Sequence, residues 1–246
     1  MCRHLASTGA AVRVADALLD APHALATQVR APRHQLPGVT NEDGWGIAWW
    51  EGTTLRQHRS TVPLIDDHDG RAFARAVMAD SFIAAVRRAT PGSALVETGN
   101  APFVGDGLAF SLNGFVGGFH RAAGATLRGA MGRHHDLSGD TDTEVLFALV
   151  RDRLDAGSDP ATALVAVVER AVAAAGEEPS RLNLLLTDGV AIWATRRSNS
   201  LFTLHRTDGS VAVASEPWDD DPAWAEVPDG SVVAATSAGI ELGDLA

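Results

Sequence analysis

A single cysteine stands among 246 residues, and one cysteine can form neither an internal disulfide framework nor a cysteine-rich zinc site. It suits a reducing, cytoplasmic setting. The nine histidines are scattered without HExxH or a comparable ligand spacing, so no metal is expected. Neither GxxxxGK[ST] nor GxGxxG occurs, and no nucleotide or other cofactor is expected. No apolar run approaches the ~18 residues of a membrane helix, and no basic-then-apolar opening marks a secretory signal, so no membrane partner is expected. Positive charge is also scarce: 20 Lys plus Arg against 31 Asp plus Glu leave a net charge of −11, with no basic patch. That argues against nucleic acid and for a small-molecule substrate, which an acidic surface allows to be cationic.

What is present is enough for a full core: the chain is 46% hydrophobic and long enough to fold as one domain over 2–246, with a homo-oligomer left open. The lone cysteine is Cys2, directly behind the initiator Met1. Initiator Met is normally removed before a small residue. The mature chain would then begin with a residue carrying both a thiol and a free α-amine, a nucleophile and its own base.

Along the chain, residues 4–10 read as a strand, 12–19 as a helix with Val14, Leu18 and Leu19 on one face, and 21–40 as loop. Asn41-Glu42-Asp43-Gly44 leads into the aromatic run Trp45-Gly46-Ile47-Ala48-Trp49-Trp50, a buried strand pairing with 53–58. Residues 63–70 read as loop, 71–80 as helix, 82–90 as a strand stopped by Pro91-Gly92, and 93–106 as loop. Strand 108–112 meets the turn signal Asn113-Gly114, and 116–120 continues beyond it. Residues 121–134 read as helical or irregular. Thr141 with Glu144 forms a capping box for a helix to about 154, and a second helix over 159–175 has Pro160 in its first turn. Strands at 182–187, 190–196, 200–206, 210–215 and 231–236 close the chain. Strands, two adjacent helices, then strands indicate α+β: two antiparallel sheets with helices packed on them.

Four features stand out: Met1-Cys2, Arg87-Arg88-Ala89-Thr90, Asn113-Gly114, and Asp140-Thr141-Asp142-Thr143-Glu144. Each has a plain reading of its own. Arg87 is a surface cation, Asn113-Gly114 a turn, and Asp142 a first-turn acid favoured by the helix dipole. In this order the four resemble the class II, N-terminal-nucleophile glutamine amidotransferases. The resemblance spans the whole chain and implies a four-layer αββα fold with two stacked antiparallel sheets flanked by helices. It implies Cys2 as nucleophile, Asn113 and Gly114 as oxyanion donors, Arg87 with Thr90 at the α-carboxylate of a γ-glutamyl group, and Asp142 at its α-amine. Alternation along a strand lets only one of Arg87 and Arg88 enter a pocket, and the family match selects Arg87.

A narrower resemblance lies in Met1-Cys2-Arg3-His4-Leu5-Ala6, Asn41-Glu42-Asp43-Gly44-Trp45-Gly46, Ala214-Ser215-Glu216-Pro217, Trp224 and Val227-Pro228. These look like the stand-alone branch that hydrolyses γ-glutamyl-hercynylcysteine S-oxide in ergothioneine biosynthesis. Arg88 and Pro91 depart from the Trp and His of many glutamine-using members, and Leu112 from the His that often precedes the Asn-Gly. The alternatives are a glutaminase subunit serving a separate synthase, a peptidase of glutathione-like γ-glutamyl peptides, and an inactive binding module. Trp45, Trp49, Trp50, Trp193, Trp218 and Trp224 are candidate faces for a quaternary ammonium, against ordinary packing. His4 reads as a structural histidine close to the nucleophile.

Overall fold

Period-two alternation of side chains builds this protein from the centre outward. The computed structural model describes residues 2–36, 38–90, 93–132 and 135–245. Its strands are β1 (Arg3–Arg13), β2 (Trp45–Glu51), β3 (Thr54–Ser60), β4 (Met78–Val86), β5 (Phe103–Gly105), β6 (Leu108–Phe115), β7 (Arg181–Thr187), β8 (Ile192–Arg196), β9 (Phe202–His205), β10 (Val211–Ala214), β11 (Ala225–Glu226), β12 (Ser231–Thr236) and β13 (Gly239–Asp244). The helices are α1 (Leu25–Gln28), α2 (His68–Ala76), α3 (Gly124–Gly129), α4 (Asp142–Asp155) and α5 (Pro160–Ala175), with further single turns such as Asp16–Asp20 and Phe119–Ala123.

Two antiparallel sheets result, ordered β11-β9-β10-β1-β4-β2-β3 and β13-β12-β8-β7-β6-β5. Leu5, Ile47, Ala84 and Val86 face outward from the first sheet onto Leu18, Leu25, Leu64 and Ala74. Their strand neighbours Ala6, Ala48 and Ile83 face inward and meet Ala109, Leu185, Ala194 and Val233 of the second sheet. On the far side, Phe110, Leu112, Leu184 and Leu186 pack under Leu146, Phe147, Leu164 and Val168 of α4 and α5. Helices, sheet, sheet and helices therefore form the four αββα layers. Each fully buried large apolar side chain contributes about 1.5–3 kcal/mol from burial. Among the described residues no helix is long and apolar enough to cross a membrane.

Several local expectations are corrected by pairing between strands. Strand β1 runs on to Arg13, because Val12 and Arg13 pair with Ala79 and Met78 across a bulge. The helix expected at 12–19 is thereby reduced to the turn Asp16–Asp20, and the helix expected over 71–80 ends at Ala76. Asn113-Gly114 is not a turn: both residues lie inside β6, opposite Asn183 and Leu182 of β7. The chain leaves the second sheet after Phe115, so 116–120 does not continue the strand. Strand β4 ends at Val86, which frees residues 87–90 from the sheet; Pro91 and Gly92 lie outside the described residues. Residues 103–105 pair with β6 rather than forming loop. Half of the capping box is formed. Thr141 accepts from the Glu144 N–H at 3.2 Å, but the Glu144 carboxylate turns to the N–H groups of Ser138 and Gly139.

Candidate active site

The start of β1 is fixed by the residue after the cysteine. Arg3, 2% exposed, donates from Nε to Gln35 Oε1 at 3.0 Å, from Nη2 to the His34 carbonyl at 2.7 Å and from Nη1 to Ser200 Oγ at 3.3 Å. Arg3 and Leu5 point outward, which turns Cys2, His4 and Ala6 toward the second sheet. His4 meets Ser111 of β6, Nδ1 to Oγ 3.2 Å, while its Nε2 is buried without a partner. The β1–β4 register sets Arg3 beside Val86. One step back, Cys2 lies beside Arg87, and its thiol donates to the Arg88 carbonyl at 3.8 Å.

A cavity of about 280 Å³ opens here, lined by Cys2, Arg87, Thr90, Gly114 and Asp142 among others. Arg87 is buried and Arg88 exposed, but both line the cavity, because the strand that would have alternated them ends at Val86. The Arg87 guanidinium donates from Nη1 to Asn100 Oδ1 at 3.1 Å and to the Ala94 carbonyl at 3.2 Å. Asp142, the first residue of α4, also lines the cavity and accepts from the Val116 N–H at 2.9 Å and from its neighbour Thr143. Burial raises the Asp142 pKa above the ordinary carboxylate range, although these hydrogen bonds and His120 pull it back in part. One cavity thus presents a cation, an anion and a thiol.

Gly114 is required by close approach: a Cβ there would lie 1.8 Å from the Arg181 carbonyl oxygen. Leu182, its partner in β7, donates its N–H to the Arg197 carbonyl instead. The 114–182 pair is therefore of the non-hydrogen-bonded kind, and the Gly114 N–H points away from β7. On that side β5 has already ended, opposite Phe110. Asn113 does not line the cavity. It is fully buried behind it, with Nδ2 donating to Ser215 Oγ at 3.1 Å and Oδ1 accepting from Asn199 Nδ2 at 3.2 Å. A carboxamide carries two N–H groups, and Ser215 takes one.

Several supporting residues escaped the sequence reading. Asp43 donates its N–H to the Arg87 carbonyl at 3.0 Å and accepts from the Ala89 N–H at 2.8 Å, holding the segment that carries Arg87. Gly44 has φ +117°, and a Cβ there would lie 2.3 Å from Nδ2 of Asn100, the residue that orients Arg87. The signal was the Asp43-Gly44 pair, legible as a strand entrance and as part of the narrower resemblance, but without a role. None of the six tryptophans lines the cavity; its phenyl rings are Phe103, Phe115 and Phe119. Trp218 and Trp224 instead pack on each other at 4.8 Å, and Trp224 Nε1 donates to Asp219. Among the described residues, no three His, Cys, Asp or Glu side chains gather as metal ligands would.

Burial, with Arg3 adding repulsion, pushes the His4 pKa down from 6.5 to about 3. The folded protein keeps His4 neutral where the unfolded chain protonates it. The stability is fully present above pH 6.5 and is lost as pH falls toward 3. Within that window one additional proton bound on unfolding gives a slope of about 1.4 kcal/mol per pH unit. Urea unfolding between pH 6 and 4 should show that slope, and His4→Gln should remove it.

The profile of "Glutamine amidotransferases class-II" matches residues 25–209. The chain belongs to the class-II glutamine amidotransferase family. Within that family it is similar to a "Gamma-glutamyl-hercynylcysteine sulfoxide hydrolase" of Mycobacterium tuberculosis, 35% identical over 98% of this chain and 96% of the other. A protein of the same name from Mycolicibacterium smegmatis is 36% identical over 95% of each chain. Among solved structures, a glutamine aminotransferase class-II domain protein from Silicibacter pomeroyi has a TM-score of 0.72 at 24% identity, with both chains fully covered. That likeness carries the amidotransferase fold.

Proposed function

We propose that the protein hydrolyses the γ-glutamyl amide bond of γ-glutamyl-hercynylcysteine S-oxide, releasing glutamate and hercynylcysteine S-oxide. The observation that carries this reading is one cavity lined by Cys2, Arg87 and Asp142 together. A γ-glutamyl group has an α-carboxylate and an α-ammonium at one end and the scissile carbonyl at the other. Arg87, with Thr90 beside it, takes the carboxylate; Asp142 takes the ammonium. The choice of leaving group rests on relatives that carry the substrate in their names over nearly the whole chain.

The α-amine of Cys2, with a reference pKa of about 7.7–8, removes the thiol proton, and the sulfur attacks the γ-carbonyl carbon. The Gly114 N–H, in the cavity lining, holds the oxyanion, and the family pattern assigns the second Asn113 N–H, from behind that lining, to the same oxygen. The C–N bond breaks as the α-ammonium returns the proton to the leaving nitrogen. Water, deprotonated by the same amine, then cleaves the thioester and frees glutamate. The lone thiol is suited to a reducing cytoplasm.

The test is glutamate release from γ-glutamyl-hercynylcysteine S-oxide, glutamine and glutathione in parallel. The first should give the highest kcat/KM. Faster hydrolysis of glutamine, or of glutathione, would replace this reading with the glutaminase or the peptidase.

Asp142 supplies a pH signature. As an anion it grips the ammonium, and it is lost as pH falls through a pKa that burial has raised. The kcat/KM profile should fall with one proton below the α-amine pKa and with two below that of Asp142. Asp142→Asn should remove the second proton and cost about 2 kcal/mol or more, roughly 30-fold in kcat/KM. A variant with the wild-type profile would take Asp142 out of the site.

A further inference from the structure

Ser215 lies just beyond β10, fully buried, where the two sheets face each other. Its N–H donates to the His4 carbonyl at 2.8 Å. Its Oγ accepts from the His4 N–H at 3.0 Å and from Asn113 Nδ2 at 3.1 Å. A hydroxyl oxygen has two lone pairs, and these two donors use both. One oxygen therefore ties the main chain two residues after Cys2, in the first sheet, to the carboxamide of Asn113 in the second. The other side of that carboxamide is fixed as well: Asn199 Nδ2 donates to Asn113 Oδ1 and, at 2.9 Å, to the Asn113 carbonyl. Asn199 is in turn held through Oδ1 by Arg181 at 3.0 Å.

We propose that Ser215 is a positioning residue for the oxyanion-holding amide: by accepting one Asn113 N–H and the His4 N–H together, it sets the distance and angle between the second Asn113 N–H and the Cys2 thiol. This link joins the main chain next to the nucleophile to the oxyanion-site carboxamide itself, whereas the neighbouring link across the sheets, His4 Nδ1 to Ser111 Oγ at 3.2 Å, does not touch Asn113. This rests on the role given above to Asn113. A buried core serine would contribute to stability alone. A positioning serine changes turnover, because the amide it aims acts only on charge that develops in the transition state.

The experiment is a double-mutant cycle of Ser215→Ala and Asn113→Ala on the substrate the protein hydrolyses best, with kcat, KM and Tm measured for each. Removing an oxyanion donor costs on the order of 100–1,000-fold, and that is the loss in kcat expected for Asn113→Ala. Misaiming the same donor should cost Ser215→Ala about 10–100-fold in kcat, with KM within about twofold. On the Asn113→Ala background Ser215→Ala should cost nothing further, since residues acting through one group are not additive. Losses that multiply, or a Ser215→Ala effect confined to Tm or KM, would overturn the proposal while leaving the oxyanion role of Asn113 standing. An unchanged kcat in Asn113→Ala would instead remove the oxyanion role and the proposal with it. Should Ser215→Ala fail to fold, Ser215→Cys keeps the size with a weak acceptor; it should lose kcat in the same direction, and full activity in it would overturn the proposal.

Discussion

Cys2→Ala should lower γ-glutamyl hydrolysis by about a million-fold, the scale on which a covalent enzyme fails when its nucleophile is removed. The fold should survive. Cys2 is half-buried in the cavity lining, before the first paired residue of β1, and its thiol makes one long contact, 3.8 Å to the Arg88 carbonyl. Changes at such positions stay within about 0.5 kcal/mol, so Tm and the circular dichroism spectrum should match wild type. Binding of the γ-glutamyl group should also persist, because Arg87 and Asp142 remain; the inert variant should bind substrate with a Kd near the wild-type KM. Glutamate release at the wild-type rate would remove Cys2 from the mechanism.

The second large effect concerns the α-amine. While Met1 is attached, the Cys2 nitrogen is an amide and carries no basic lone pair. General-base catalysis contributes about 100- to 10,000-fold, so a chain that keeps Met1 or an N-terminal extension should be slower by at least that factor. The composition offers a clean version of the test. All 20 basic residues counted as Lys plus Arg are arginines, so the α-amine is the one primary amine of the mature chain. Acylating it, with the thiol held as a mixed disulfide and then released by reduction, should abolish turnover with no side-chain amine touched. An acylated enzyme with normal kcat would show that the base lies elsewhere.

The parts of this molecule written in local pattern were legible from sequence, and the parts written in pairing were not. Helix α5 could be read from Asp159 and Pro160, because a cap and a first-turn proline act through their own backbone; Asp159 accepts from the Thr162 N–H at 3.0 Å. The apolar, aromatic run at 45–50 marked a buried strand, and it is buried on both faces because Ile47 and Ala48 go to different cores. Residues 78–80 looked helical after Ala74, Arg75 and Ala76, yet pairing with Val12 and Arg13 draws Met78 and Ala79 into β4. Asn113-Gly114 carried the same two letters as a hairpin turn, and only the partner strand β7 distinguishes the two outcomes. In the site, Cys2, Arg87, Thr90, Gly114 and Asp142 were named by type and order and do line one cavity. Asp43 and Ser215 appeared only inside the motifs of the narrower resemblance, without a role, and Asn100 not at all, because each acts through a hydrogen bond to a residue far away in the chain.

The central claim is that a γ-glutamyl group is carried on the sulfur of an N-terminal Cys2. A glutamate analogue whose γ-carbonyl bears a diazomethyl group tests it most directly, because the diazomethyl carbon takes up the thiol proton, bonds to the sulfur and expels N2, leaving a stable thioether beside the carbonyl where the substrate would leave a thioester. Intact-mass and peptide mapping should find one label per chain, on Cys2 of a chain that begins at Cys2. Activity should be lost in step with labelling, and glutamate should protect. A label on any other residue, or inactivation of a chain that still begins with Met1, would contradict the account.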